Sequence, residues 1–287
     1  MSIRAHLLAA LCMLGPVVTV EAAPALWEVR DDDSALWFFG SFHVLPADTE
    51  WRTPLLEATL AGADRVVLET DITPLAAAEL GAQAIVRGIY ADGTRLTDGM
   101  DPALEAQMRT ALAELGMPVG PVLAMRPWMA ANTISVAALV AQGFVAEGVE
   151  LALLPDLEPE RLVFLETGAE QIAVLAGGPE DEQMALLAAT LSQMDGLSKT
   201  MDKSLGYWLS GEPERLLRLF AVDMGGHEAA FMARLLDQRN RAWLEPLEQM
   251  LADNEQNLVV VGAAHLVGDG SVLALLEEAG YTVQRIQ

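Results

Sequence analysis

Four short apolar runs in this chain each end in a histidine or a glutamate, and no other feature constrains the fold as much. Near the start, "LWFFGSFH" closes on His43; near the end, "NLVVVGAAH" closes on His265. Each histidine has a glycine three residues before it, Gly40 and Gly262, which lets backbone pass close to a neighbour or a ligand. Between them, "RVVLETD" carries Glu69 and "RLVFLETG" carries Glu166. Runs this short, rich in Val, Leu and Phe and bounded by polar residues, are the pattern of buried strands. Along the chain their polar ends run His, Glu, Glu, His, an internal echo that points to pseudo-duplicated strand–helix halves.

The segments between these runs carry helix signals. Thr53-Pro54 and Thr73-Pro74 open helices, and Asp101-Pro102 opens a third that closes at Gly116. Thr167 and Glu170 form a capping box ahead of "IAVLAGG". Residues 25–43 read as two strands around the acidic turn "DDDS". An apolar helix follows "RPW", and "GVELALLPDLEPE" reads as a loop. Helices dominate from about Glu180 to Asp253, and "YTVQRI" is a final strand. The alternation predicts an α/β fold with a central mixed sheet flanked by helices.

The 287 residues suffice to bury a large core, and 52% hydrophobic with 20% charged residues is not a disordered composition. The net charge of −24 argues against nucleic acid or an anionic membrane surface as partner. At the amino terminus, Arg4, the run "LLAALCMLGPVVTV" and the small residues around Ala22 form the pattern of a secretory signal over residues 1–22. The run is too short, and too interrupted by Pro16, to span a bilayer well. The expectation is an exported protein, periplasmic, with no stable membrane span once the signal is removed and one domain over 23–287. The single cysteine, Cys12, falls in the signal, so the mature chain has no thiolate, disulfide or Cys-ligated zinc to use.

Open α/β sheets build their sites just past the carboxyl ends of strands, where His43, Glu69, Glu166 and His265 fall. Two imidazoles with carboxylates suit a divalent ion such as Zn, Mn or Co. Such an ion can make water a nucleophile while a second carboxylate serves as base. Each residue also has a plainer reading. The histidines could be structural hydrogen-bonders, Glu69 a salt-bridged carboxylate, and Glu166 a charge beside a helix N-terminus. Glu170 is explained by its capping box, and His227 as a helix-start residue.

A further signal lies in "FMARLLDQRNRAWLEPLEQML". At roughly 100° per residue, Phe231, Met232, Leu235, Leu236, Trp243, Leu247 and Met250 share one face, and Arg239 with Asn240 lie within it. Burying them is costly unless both are paired, so Arg239 should meet a carboxylate or a substrate. No phosphate-binding glycine loop with its lysine and no G-x-S-x-G elbow is present. The methionines, and more so Trp27, Trp37 and Trp51, suit core packing.

Together, "FGSFHVLP", "VVLETDI", "LVFLETGAEQIAVL", "LLDQRNRAWLEPLEQML" and "VVVGAAHLVGDGSVLALLEEAGYTV" resemble the TraB/GumN family, which includes the Tiki proteases. The resemblance covers nearly the whole mature chain. It implies a fold like those of erythromycin esterase and the haem-binding ChaN-like proteins, with paired G-x-x-H motifs and paired glutamates facing one cleft. It also implies metal-dependent proteolysis with Mn or Co. By motif, His43 and His265 take the histidine positions, Glu69 and Glu166 the glutamates, and Arg239 and Asn240 the helix pair. "GVEL" places Glu150 where bacterial members often carry aspartate.

The leading expectation is therefore an exported metal-dependent hydrolase, peptidase-like, acting on a peptide or protein. His43, His265 and Glu69 would hold the metal, the other glutamate would activate water, and Arg239 with Asn240 would orient the substrate carbonyl. The alternatives are a non-catalytic binder of a secreted peptide or signal, and a metal-independent ester hydrolase.

Overall fold

The computed structural model describes residues 22–145, 147–219 and 225–287. The signal segment read from the sequence, with Cys12, lies outside the described residues except for Ala22. Eight strands are present in this part: β1 Leu26–Arg30, β2 Ala35–Ser41, β3 Leu45–Pro46, β4 Arg65–Leu68, β5 Phe144–Val145, β6 Leu162–Phe164, β7 Gln256–Gly262 and β8 Thr282–Arg285. Six form one sheet in the order β6-β4-β7-β2-β1-β8, and β3 pairs with β5 apart from it. Strands β6, β4, β7 and β2 are parallel neighbours; β1 runs antiparallel to both β2 and β8. The fold is α/β with a mixed central sheet flanked by helices, as the alternation predicted.

The strands are apolar throughout because both faces of the sheet are covered. Side chains alternate between two cores. Phe39, Val66, Leu68, Leu258 and Val260 face one side, where Trp51 and Trp208 pack. Phe38, Val67, Val259 and Val261 face the other, against Trp243 and Leu247. Each such burial contributes about 1.5–3 kcal/mol. Trp51 stacks on Phe39 at 5.9 Å between ring centroids and is a core residue, as expected. A third core, around Met108, Leu112, Ile134 and Leu187, joins helices Pro102–Glu114, Pro127–Ala141 and Glu180–Gln193 away from the sheet.

The helix starts follow their caps. The Thr53 hydroxyl accepts from Leu56 N–H, the Asp101 carboxylate from Ala103 N–H, and Thr167 and Glu170 close their reciprocal box. Gly116 ends its helix at a φ of +66°, in the left-handed region that glycine tolerates. Two local readings change. The segment expected to be a loop contains helix Val149–Leu153, because Val149 and Leu153 bury completely beneath the sheet. The amphipathic stretch over 231–250 is not one regular helix. Helix Glu228–Met232 passes through a π-helical turn, Ala233–Asp237, into helix Gln238–Ala252. Among the described residues, no helix is long and apolar enough to cross a membrane.

Candidate active site

The sheet order places the four polar strand ends side by side. Across the carboxyl edge of β6, β4, β7 and β2 stand Glu166, Glu69, His265 and His43 in turn. Glu166 N–H donates to Glu69 O at 2.8 Å just beyond the paired strands, and Ser41 lies in register with Gly262. A Cβ at Gly40 would stand 3.0 Å from Ala263 Cα, so glycine lets the β2 and β7 ends close together.

Arg239 binds the two glutamates. Its Nε and Nη2 donate to the two oxygens of Glu166 at 2.9 and 2.7 Å, and Nη2 also reaches Glu69 Oε2 at 2.5 Å. The guanidinium lies over the Trp243 ring, 4.8 Å from its centroid. The carboxylate partner expected for Arg239 is thus present twice. Glu69 further accepts from Gly262 N–H at 2.7 Å and from the Gln171 amide at 3.0 Å. Burial works against its charge, but His265, His43, Arg239 and the Gly262 N–H outweigh that and bring the carboxyl down to about 2.

Asn240 fixes the state of His265. Its amide nitrogen donates to Gly270 O at 2.7 Å, which turns its oxygen toward His265 Nδ1, 2.5 Å away. His265 therefore carries its proton on Nδ1, and Nε2 presents a lone pair 3.0 Å from Arg239 Nη1 and 3.7 Å from Glu69 Oε1. Burial brings this ring down to about 4, with Glu69 opposing and Arg239 assisting. It is neutral near pH 7, so Glu69 meets Arg239 and His43, rather than His265, as cations there.

His43 is held differently. Its Nδ1 lies 2.8 Å from Glu150 Oε1, and the same oxygen accepts from the Ser41 hydroxyl. Glu150 is buried and lies well below the usual carboxylate range; burial opposes this, and His43 and Ser41 cause it. In turn Glu150 raises the pKa of His43 above the ordinary imidazole value. The His43 side chain is 65% exposed, so water screens the pair on its outer side. Nε2 faces the space over Gly262. A Cβ there would lie 3.2 Å from Glu69 Oε1 and 3.6 Å from both His43 Nε2 and His265 Cδ2. A cleft of about 390 Å³ opens at this point, lined by His43, Glu69, Arg239 and His265.

All six residues singled out from the sequence thus fall in one cluster. Glu166 serves there chiefly as the anchor of Arg239, and Asn240 as the anchor of His265. Glu150, Ser41 and Gln171 complete the cluster without having been assigned a role. The short "GVE" turn was the available signal for Glu150: Gly148 packs against the backbone of Phe42 and His43, and Val149 N–H donates to Phe42 O at 3.0 Å.

The donor set has the chemistry of a divalent site. His43 Nε2, the His265 ring edge and Glu69 Oε1 border the space over Gly262, His265 Nε2 lies 3.7 Å from Glu69 Oε1, and each Nδ1 is held by an outer oxygen. In the present arrangement no group of three His, Asp or Glu among the described residues stands close enough to hold a metal. Arg239 Nη1 meanwhile meets His265 Nε2 at 3.0 Å. A cation held through His265 Nε2 would have to displace that contact.

Fold and site define an α/β protein with a histidine–glutamate–arginine cluster at the ends of four parallel strands. The TraB/PrgY/gumN family model matches residues 25–285, and the chain belongs to that family. Comparison with curated proteins gives no match, and neither does comparison with solved structures. The likeness to erythromycin esterase and ChaN folds accordingly rests on the sequence resemblance alone.

Proposed function

We propose that the cluster is a hydrolytic centre that breaks an amide bond in a peptide or protein, with a divalent cation held by His43, His265 and Glu69. The observation that carries this reading is the convergence of His43 Nε2, the His265 ring edge and one Glu69 oxygen around Gly262, at the wall of a cleft. When bound, such a cation polarises a carbonyl and makes water a nucleophile near neutral pH. Glu150 orients His43 by accepting from Nδ1, which leaves Nε2 as the ligating atom; Asn240 keeps the His265 proton on Nδ1. Arg239, oriented by Glu166, lines the cleft and offers Nη1 as a donor to the substrate carbonyl oxygen. The signal pattern at the amino terminus supports action after export, in the periplasm.

One observation favours a second reading. Arg239 Nη1 occupies His265 Nε2 at 3.0 Å, so the guanidinium itself can act as the cation of a metal-free centre, with the His43–Glu150 pair moving the proton of water. Purified protein assayed on peptides and esters, with Mn, Co or Zn and with a chelator, separates the two. We expect metal-dependent cleavage, abolished in His43→Ala and His265→Ala. A metal at a hundred times its Kd should also stabilise the fold by about 2.7 kcal/mol. Chelator-resistant turnover supports the metal-free centre, and peptide binding without turnover under any condition sinks both.

A further inference from the structure

The cluster lies between two clefts rather than at the bottom of one. The larger, about 390 Å³, falls within the ~300–1,000 Å³ of small-ligand pockets. Its wall beyond the cluster is apolar, with Val44, Met201, Met232, Leu235 and Leu236. The smaller, about 230 Å³, is bounded by Thr70, Ile72, Leu80, Glu150 and Gln171. His43 and Glu69 line both.

The charges along this path are already committed. In the larger cleft the ionisable side chains are His43, Glu69, Arg239 and the neutral His265; in the smaller they are His43, Glu69 and Glu150. Arg239 is held by Glu69 and Glu166, and Glu150 by His43. Among the described lining residues there is no spare cation for a terminal carboxylate and no spare carboxylate for a terminal amine. The Thr70 hydroxyl, on the smaller cleft, has no hydrogen-bond partner among the described residues and can serve a substrate backbone after a rotamer change. Met201 and Met232 adapt to apolar groups of varied shape.

We infer that the substrate is an extended peptide cut at an internal bond, with a bulky apolar side chain in the larger cleft and the chain continuing into the smaller one. This rests on the hydrolytic reading of the same cluster. In the step itself the water oxygen bonds to the carbonyl carbon, the C–N bond breaks, and a water proton passes to the departing amine.

The test uses full-length protein and one peptide scaffold, blocked at both ends, with Ala, Glu, Leu or Phe at the central position. Cleavage is measured with Mn, Co or Zn and with a chelator, and binding is measured by calorimetry. The Leu and Phe peptides should be cut with a kcat/KM at least about tenfold above Ala, and should bind correspondingly tighter. Met201→Glu and Leu235→Asp, each checked for an unchanged melting temperature, should erase that preference. Equal treatment of all four peptides, a requirement for a free terminus, or neither binding nor cleavage of any of them overturns the inference. Tight, apolar-selective binding with no cleavage leaves the apolar subsite standing and overturns hydrolysis, so the two readings fail separately.

Discussion

Arg239 is the residue on which the buried charges depend. Its side chain is 11% exposed, and those of Glu69 and Glu166 are 8% and 7%. Removing one partner of such a group leaves uncompensated charge in the interior, at a cost of about 3–5 kcal/mol. Arg239→Ala should lose about that much in denaturant unfolding. Arg239→Lys should recover only part of it, because an ammonium cannot reproduce the two-pronged contact with Glu166. Glu69 adds a pH dependence. Its folded-state pKa of about 2 lies below the ordinary glutamate value of 4.5, so its contribution is complete above about 4.5 and is lost as pH falls toward 2. Unfolding free energy should fall through that window, and Glu69→Gln should flatten the fall; an unchanged slope in the variant would refute the assignment.

Helix Val149–Leu153 is too short to have a period, yet it carries the partner of His43. Gly148 allows it to dock: a Cβ there would collide with the backbone carbonyls of Phe42 and His43. Gly148→Ala should therefore destabilise the fold by about 1–3 kcal/mol as overpacking does, and should pull Glu150 away. The His43 ring resonances, followed by NMR against pH, should then titrate closer to 6.5; a midpoint still raised as in the wild type would show that the pair survives.

The same element shows what sequence could and could not convey. His43, Glu69, Glu166 and His265 were legible because each closes an apolar run, and parallel strands deliver such ends to one edge. Arg239 and Asn240 were legible because they interrupt an apolar stripe. Glu150 was not, because its burial depends on backbone packing between distant segments rather than on local pattern. Nor was the π-helical turn over Ala233–Asp237, which shifts the helix phase. The stripe survives it because Phe231 and Leu236 before the helix Gln238–Ala252, and Asn240, Trp243 and Leu247 within it, each keep a buried face. Which partner each candidate takes follows from the strand order β6-β4-β7-β2, which no single segment encodes.

At the scale of the whole molecule, the cluster joins both ends of the chain. Strand β2 pairs with β7 from Ala35↔Gln256 to Ser41↔Gly262, and β8 then closes the sheet against β1. Contacts of such long sequence separation form late, because loop-closure entropy is spent before they form. Activity in a refolding experiment should therefore return no earlier than the slowest folding phase; recovery ahead of it would mean that the site assembles without β7. For a protein read as cutting peptides, this ordering acts as a built-in delay. A ribosome still making the chain holds only separated fragments of the centre. In that reading the centre is completed only when the last strands join the sheet.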